Sequence, residues 1–287
     1  MKPVLLPLVE RLGRRALVSR GVTTRTIVTP AGRLHAYDAK GQGAGPTTIL
    51  LHGIGSAATQ FGPLMGNLLP QSQRVVSIDY PGHGFSDEYD GTLTPETLFE
   101  TVTTALDELV PEPAVVVGNS LGGAVALQYA IHRPERVRAL VLLSPAGARA
   151  SDEEWKEIRS AFAISNRAQS KAFFHRLYHR SPWFLSLVAH EFPHSVNRRA
   201  VRDLLWTATN DHAASPEQLG ALAMPVLLVW GRSERLLPTA FLEYFSRHLP
   251  KHAVVERPEG MGHCPHFDAP RKVAARIAEF ARASVPS

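Results

Sequence analysis

Cysteine is almost missing from the chain: Cys264 stands alone among 287 residues, so no intrachain disulfide can form and a reducing, cytoplasmic setting is expected. Long apolar runs are missing too. No stretch approaches the roughly 20 residues that a membrane-spanning helix needs. The apolar run at 4–9 stops at Glu10 and Arg11, and no small-residue cleavage site follows, which argues against a secretory signal. There is no block of lysine or arginine, because the net charge of +5 is spread along the chain, so no nucleic-acid partner is expected. Repeats and low-complexity tracts are absent as well. What is present is 44% hydrophobic and 20% charged, an ordinary globular composition. The length fits one large domain, or one domain carrying an insertion, better than two equal halves.

Short β-branched runs alternate with longer helical patterns, the signature of an α/β fold with a mostly parallel central sheet and helices on both faces. Opening strands are expected at 24–28 and 34–37. Buried strands are expected at 47–51, 74–78, 114–117, 139–143, 226–230 and 253–256. The run Val115, Val116, Val117 suits a strand covered on both faces. Helices are expected at 95–109, 121–131, 239–248 and 271–283, the first announced by Thr94 as a cap before Pro95.

Two segments stand outside this alternation. Residues 148–221 show helical patterning without a convincing strand and are rich in Trp, Phe and Tyr, too long for a simple loop. They are expected to form a helical cap over the carboxyl ends of the strands, inserted between core segments 21–147 and 222–287. Residues 1–20 place Leu5, Leu8, Val9, Leu12 and Ala16 at helical spacing, with Arg11, Arg14 and Arg15 elsewhere on the wheel. Such a segment either lies on lipid as a peripheral contact or docks on its own fold.

The chemistry centres on Gly118-Asn119-Ser120-Leu121-Gly122-Gly123, directly between an expected strand and an expected helix. A strand-to-helix turn this tight requires small flanking residues and projects the serine hydroxyl clear of the sheet. The Leu121 N–H then sits at a helix start, where it can hold an oxyanion. Leu51-His52-Gly53-Ile54-Gly55 follows another strand, and the Ile54 N–H can supply a second donor. A base and an acid are still required, and thirteen histidines offer many wrong answers. His263 lies after the last expected strand and Glu234 after the one before it. Ser120, Glu234 and His263 thus follow the order Ser, Asp/Glu, His, all at carboxyl ends of strands. In that arrangement His263 takes the proton of Ser120 while Glu234 fixes the imidazole tautomer.

Together these residues resemble the α/β-hydrolase superfamily from about Thr47 onward. The turn Asp79-Tyr80-Pro81-Gly82-His83-Gly84-Phe85-Ser86 and the stretch from His263 to Pro270, with Asp268 in a common acidic position, also match. The cap position and the turn Ser144-Pro145-Ala146-Gly147 are similar to those of monoacylglycerol lipases and related carboxylesterases. That resemblance implies a serine hydrolase acting on a small-molecule ester with an apolar acyl group, without cofactor or metal. Glu234 departs from the Asp that many relatives carry, so its extra methylene must be accommodated. Position 144, an alternative site for the acid, offers no carboxylate. The chain also resembles hydrolases that cleave carbon–carbon bonds in ring-fission diketones, and some members of the superfamily serve as small-molecule receptors.

Four features compete for attention. Gly53-Ile54-Gly55-Ser56-Ala57-Ala58 fits a dinucleotide-binding fingerprint, with Asp79 where a ribose-binding acid belongs, but it leaves the serine turn unexplained. His190-Glu191-Phe192-Pro193-His194 spells a zinc-protease motif, yet Pro193 should disrupt the helix that motif requires, leaving a cap loop with solvated histidines. His175 and His179 provide two ligands at most, and Cys264 is expected to be a packing residue.

Overall fold

A computed structural model describes residues 3–283. Eight strands form one sheet in the order β1-β2-β4-β3-β5-β6-β7-β8. They are β1 (Thr23–Thr29), β2 (Gly32–Lys40), β3 (Thr48–Leu51), β4 (Arg74–Ile78), β5 (Ala114–Asn119), β6 (Val137–Leu143), β7 (Val226–Val229) and β8 (Val254–Glu256). β2 pairs antiparallel with β1 and with β4, and every later pairing is parallel. All eight expected strands are present. One differs in its surroundings: β8 was expected to be buried but forms the sheet edge, paired only with β7 among the described residues, and Val254 and Val255 stay exposed.

Alternation along each strand splits the core between the two faces of the sheet. Ile49, Leu51, Val116, Leu140 and Leu228 point to one face, under α3 (Pro95–Leu109), α4 (Leu121–His132) and α11 (Thr239–His248). Leu50, Val115, Val117, Val141 and Leu227 point to the other, under α2 (Gly62–Leu68) and α12 (Pro270–Ala283). Thr94 caps α3 as expected, its hydroxyl accepting from the Thr97 N–H at 3.2 Å. Helix α2 gave no sequence signal. Gly62 and Gly66 make its seven residues poor helix formers, and burial of Leu64, Met65 and Leu68 decides the matter.

Between β6 and β7 the chain is helical among the described residues: α5 (Asp152–Ala161), α6 (Arg167–Leu177), α7 (Leu185–Val188), α8 (Phe192–Val196), α9 (Arg199–Thr207) and α10 (Pro216–Gly220). This segment meets the core at strand ends. The Cys264 N–H donates to Leu177 O, and Asp268 accepts from the His179 N–H. The expected loop at residues 190–194 requires correction, although its two histidines are exposed as expected. Pro193 sits in the first turn of α8, where its missing N–H costs nothing, and Glu191 is buried. Its carboxylate accepts from the N–H groups of Val4, Leu5 and Leu6, tying the insertion to α1 (Leu5–Val18). Only His190 and His194 remain exposed.

Candidate active site

The serine turn is built by close backbone approach. A Cβ on Gly118 would collide with the carbonyl of Gly122, and one on Gly122 with the carbonyl of Leu51, so neither position admits a larger residue. Ser120 itself is held at φ 55°, a region that costs a non-glycine residue strain. Its carbonyl accepts from Gly123, Ala124 and Ala146, which fixes this backbone from both the α4 side and the β6 turn. The serine is 6% exposed and borders a cavity.

The Gly53 loop runs close to the serine: a Cβ added at Gly53 would lie 3.4 Å from the Ser120 Cβ. Two buried histidines hold this loop. His52 donates from Nδ1 to Gly53 O at 2.8 Å and accepts the Tyr80 N–H at Nε2, while His83 accepts the Gly55 N–H at 3.2 Å. These roles demand neutral rings. Burial lowers both, His83 to about 3. Ile54 is thereby placed at the cavity beside Ser120 and Leu121. Among the described residues, neither the Ile54 N–H nor the Leu121 N–H has a hydrogen-bond partner, so both expected oxyanion donors are free.

Glu234 and His263 meet. His263 Nδ1 lies 2.8 Å from Glu234 Oε2, with both side chains 3% exposed or less. The second carboxylate oxygen accepts from the N–H groups of Leu236 at 2.7 Å and Leu237 at 3.1 Å. Those two donors accommodate the extra methylene, because they set where the longer side chain ends. Burial acts to raise the Glu234 carboxyl, but the facing imidazole and the two N–H donors outweigh it and hold it below the ordinary carboxylate range. No hydrogen bond joins Ser120 to His263 among the described residues; such contacts often tighten only around a substrate.

Two positioning residues escaped the sequence reading. The Asn119 amide donates to His263 O at 2.8 Å and to Leu143 O at 2.9 Å, tying the serine turn to the histidine loop. Asp268 accepts from Gly262 N at 2.7 Å and from His179 N, gripping that loop from its other end. Both lay inside motifs read for other reasons, and only spatial proximity reveals their partners.

The cavity beside Ser120 measures about 510 Å³, within the range of small-molecule sites, and its walls include Phe99, Phe162, Leu204, Leu237 and Phe241. Polar groups also border it, where His212 of the insertion contacts Glu96 of α3. Residues 46–270 match the model of a family described as the alpha/beta hydrolase fold.

The chain belongs to the α/β-hydrolase fold family.

Its relatives include esterases. The pimeloyl-[acyl-carrier protein] methyl ester esterase of Xanthomonas campestris pv. campestris (strain B100) is 32% identical over 257 residues, 84% of this chain and 97% of its own. A 2-hydroxymuconate semialdehyde hydrolase from Pseudomonas sp. (strain CF600) is 30% identical over 75% of this chain and 78% of its own. The solved carboxylesterase CesB from Bacillus subtilis has the same fold, with a TM-score of 0.78 at 21% identity, covering 98% of this chain and 100% of that one.

In this α/β-hydrolase the competing motifs have structural explanations. Asp79 is fully buried, its carboxylate accepting from Ala58 N at 2.7 Å and Phe85 N at 3.2 Å and facing His35. It anchors two loops and presents nothing to a ribose. Cys264 packs near Asn119, and burial pushes its thiol well up, with Glu234 and Asp268 adding to the shift.

Proposed function

We propose that this chain is a serine hydrolase cleaving carboxylic esters with an apolar acyl chain through an acyl-serine intermediate. The observation that carries the reading is a serine held at φ 55° beside two partnerless N–H groups, at the wall of an apolar cavity. Ser120 Oγ attacks the ester carbonyl carbon as His263 takes its proton. The N–H groups of Ile54 and Leu121 receive the negative oxygen. His263 then protonates the departing alcohol, and water repeats the sequence to release the acid. Glu234 keeps the Nδ1 proton in place, which leaves Nε2 available as the base. The apolar walls favour an acyl chain longer than acetyl, and the helical insertion serves as the cap that encloses it. Contact of residues 1–20 with a membrane belongs to the same reading, since long-chain esters partition into lipid. No helix among the described residues is long and apolar enough to cross one.

The test is a panel of p-nitrophenyl esters of graded chain length on wild type and Ser120→Ala, with fluorophosphonate labelling. Rates should rise from acetyl to medium chains, and Ser120→Ala should lose both turnover and label. Unchanged hydrolysis by Ser120→Ala would overturn the assignment. A receptor without turnover would fail to label at all. The 30% identity to the semialdehyde hydrolase favours a second reading, carbon–carbon cleavage of ring-fission diketones. Loss of a dienol chromophore in the ultraviolet, with no ester turnover, would select it.

A further inference from the structure

Helix α1 turns the wrong side inward for its composition. At 3.6 residues per turn, Leu5, Leu8, Val9, Leu12 and Ala16 share one side, and Leu6, Glu10, Gly13 and Leu17 the other. The second side meets the protein. Leu17 is buried, Gly13 faces Thr59, and the Arg14 guanidinium lies 4.7 Å over the Phe85 ring. Burial raises the Glu10 carboxyl above its ordinary range, with Arg198 opposing the shift. The apolar side is left to solvent, with Leu8, Val9 and Leu12 at 47%, 57% and 51% exposure. A helix placed to bury its apolar stripe in the core would be rotated about a third of a turn from this.

The helical insertion fixes that orientation. Glu191 takes up the Val4, Leu5 and Leu6 N–H groups at 2.9, 3.0 and 2.8 Å, donors that a helix start leaves unpaired, and places its charge at the positive end of the helix dipole. Glu191 follows Leu187 by four residues and Trp183 by eight. The clamp therefore anchors the start of α1 to the same stretch of the insertion that carries a second exposed apolar group, Trp183, Phe184 and Leu187. Cations accompany both halves: Arg11 and Arg15 flank the stripe, and exposed Arg180 precedes Trp183 by three residues. Glu10, the one acid of α1, faces the other way.

We infer that the α1 stripe and the apolar group at residues 183–187 form one docking surface for an anionic lipid bilayer, joined by Glu191. The apolar side chains enter below the headgroups, and the arginines reach the lipid phosphates. This extends the contact proposed for residues 1–20 to the insertion and to a lipid charge. It stands independently of the ester chemistry, because binding is scored without turnover.

The test is co-sedimentation of the full chain with vesicles of phosphatidylcholine, alone or mixed with phosphatidylglycerol, at low and high salt. The variants are Leu8→Asp/Leu12→Asp, Trp183→Ser and Glu191→Gln, with circular dichroism and Tm as folding controls. Wild type should bind the anionic vesicles more strongly and lose affinity with salt. The double variant should lose about tenfold or more, and the two insertion variants several-fold, with native spectra. Equal binding to neutral and anionic vesicles, or Trp183→Ser binding like wild type, would overturn the composite surface. So would a concentration-dependent dimer that the same substitutions abolish, which would assign the face to a second copy of the chain.

Discussion

Replacing Glu234 with Gln keeps the side-chain length and removes the charge, and the structure dictates how the new amide must point. One carboxylate oxygen accepts from the N–H groups of Leu236 and Leu237, and the other meets His263 Nδ1. Two N–H donors will not tolerate a third facing them, so the Gln oxygen takes their side and its NH₂ is forced toward the imidazole. Nδ1 must then accept, the ring proton moves to Nε2, and His263 no longer presents a base to Ser120. On that reasoning kcat falls about 10³ to 10⁴-fold, or about 4 to 5.5 kcal/mol of barrier. KM for short esters should barely move, because neither residue contacts the acyl group in this mechanism. The assay is steady-state hydrolysis of p-nitrophenyl butyrate, with fluorophosphonate labelling rates and Tm measured in parallel. Glu234→Asp keeps the charge but shortens the reach, and should lose about 100-fold, restoring part of what Gln loses. A Glu234→Gln enzyme within a few-fold of wild type, with native Tm, would refute both the tautomer reasoning and the assignment of the acid.

Three further outcomes follow from the geometry. Leu204→Trp narrows the cavity wall, and should reduce medium-chain ester turnover about tenfold relative to acetyl ester, read as a ratio of kcat/KM values. Gly122→Ala drives a methyl into the Leu51 carbonyl and should cost about 3 kcal/mol or more, whereas Gly66→Ala, with open space around it in α2, should stabilise by about 0.5 to 1 kcal/mol; denaturant melts compare them. For Glu191, burial opposes ionisation, but three backbone N–H groups prevail and hold the carboxyl at about 2, against an ordinary 4.5. Its stabilisation of α1 is therefore complete above pH 4.5, declines as the pH falls and is lost below about 2. Hydrogen exchange over residues 4–18 should show that loss in wild type and a flat profile in Glu191→Gln.

The sequence by itself determined the strand order along the chain, the serine turn and the helical insertion. These are local matters: β-branched runs, two glycines at fixed spacing, and aromatic-rich helices declare themselves without a partner. It also nominated Glu234 and His263, because their positions after consecutive strands constrained the choice among many acids and histidines. Only the tertiary structure showed how Glu234 fits, since Leu236 and Leu237 become its donors through a turn that composition does not reveal. The same holds for Asn119, whose partner His263 lies 144 residues away. β8 read as a buried strand because hydrophobicity reports what a residue prefers, while burial depends on what packs beside it. For α1, periodicity gave the apolar stripe and left its direction open. Glu191, hidden in a motif that spelled a metal site, decides it by capping the helix from the insertion, so that the stripe faces away from the core.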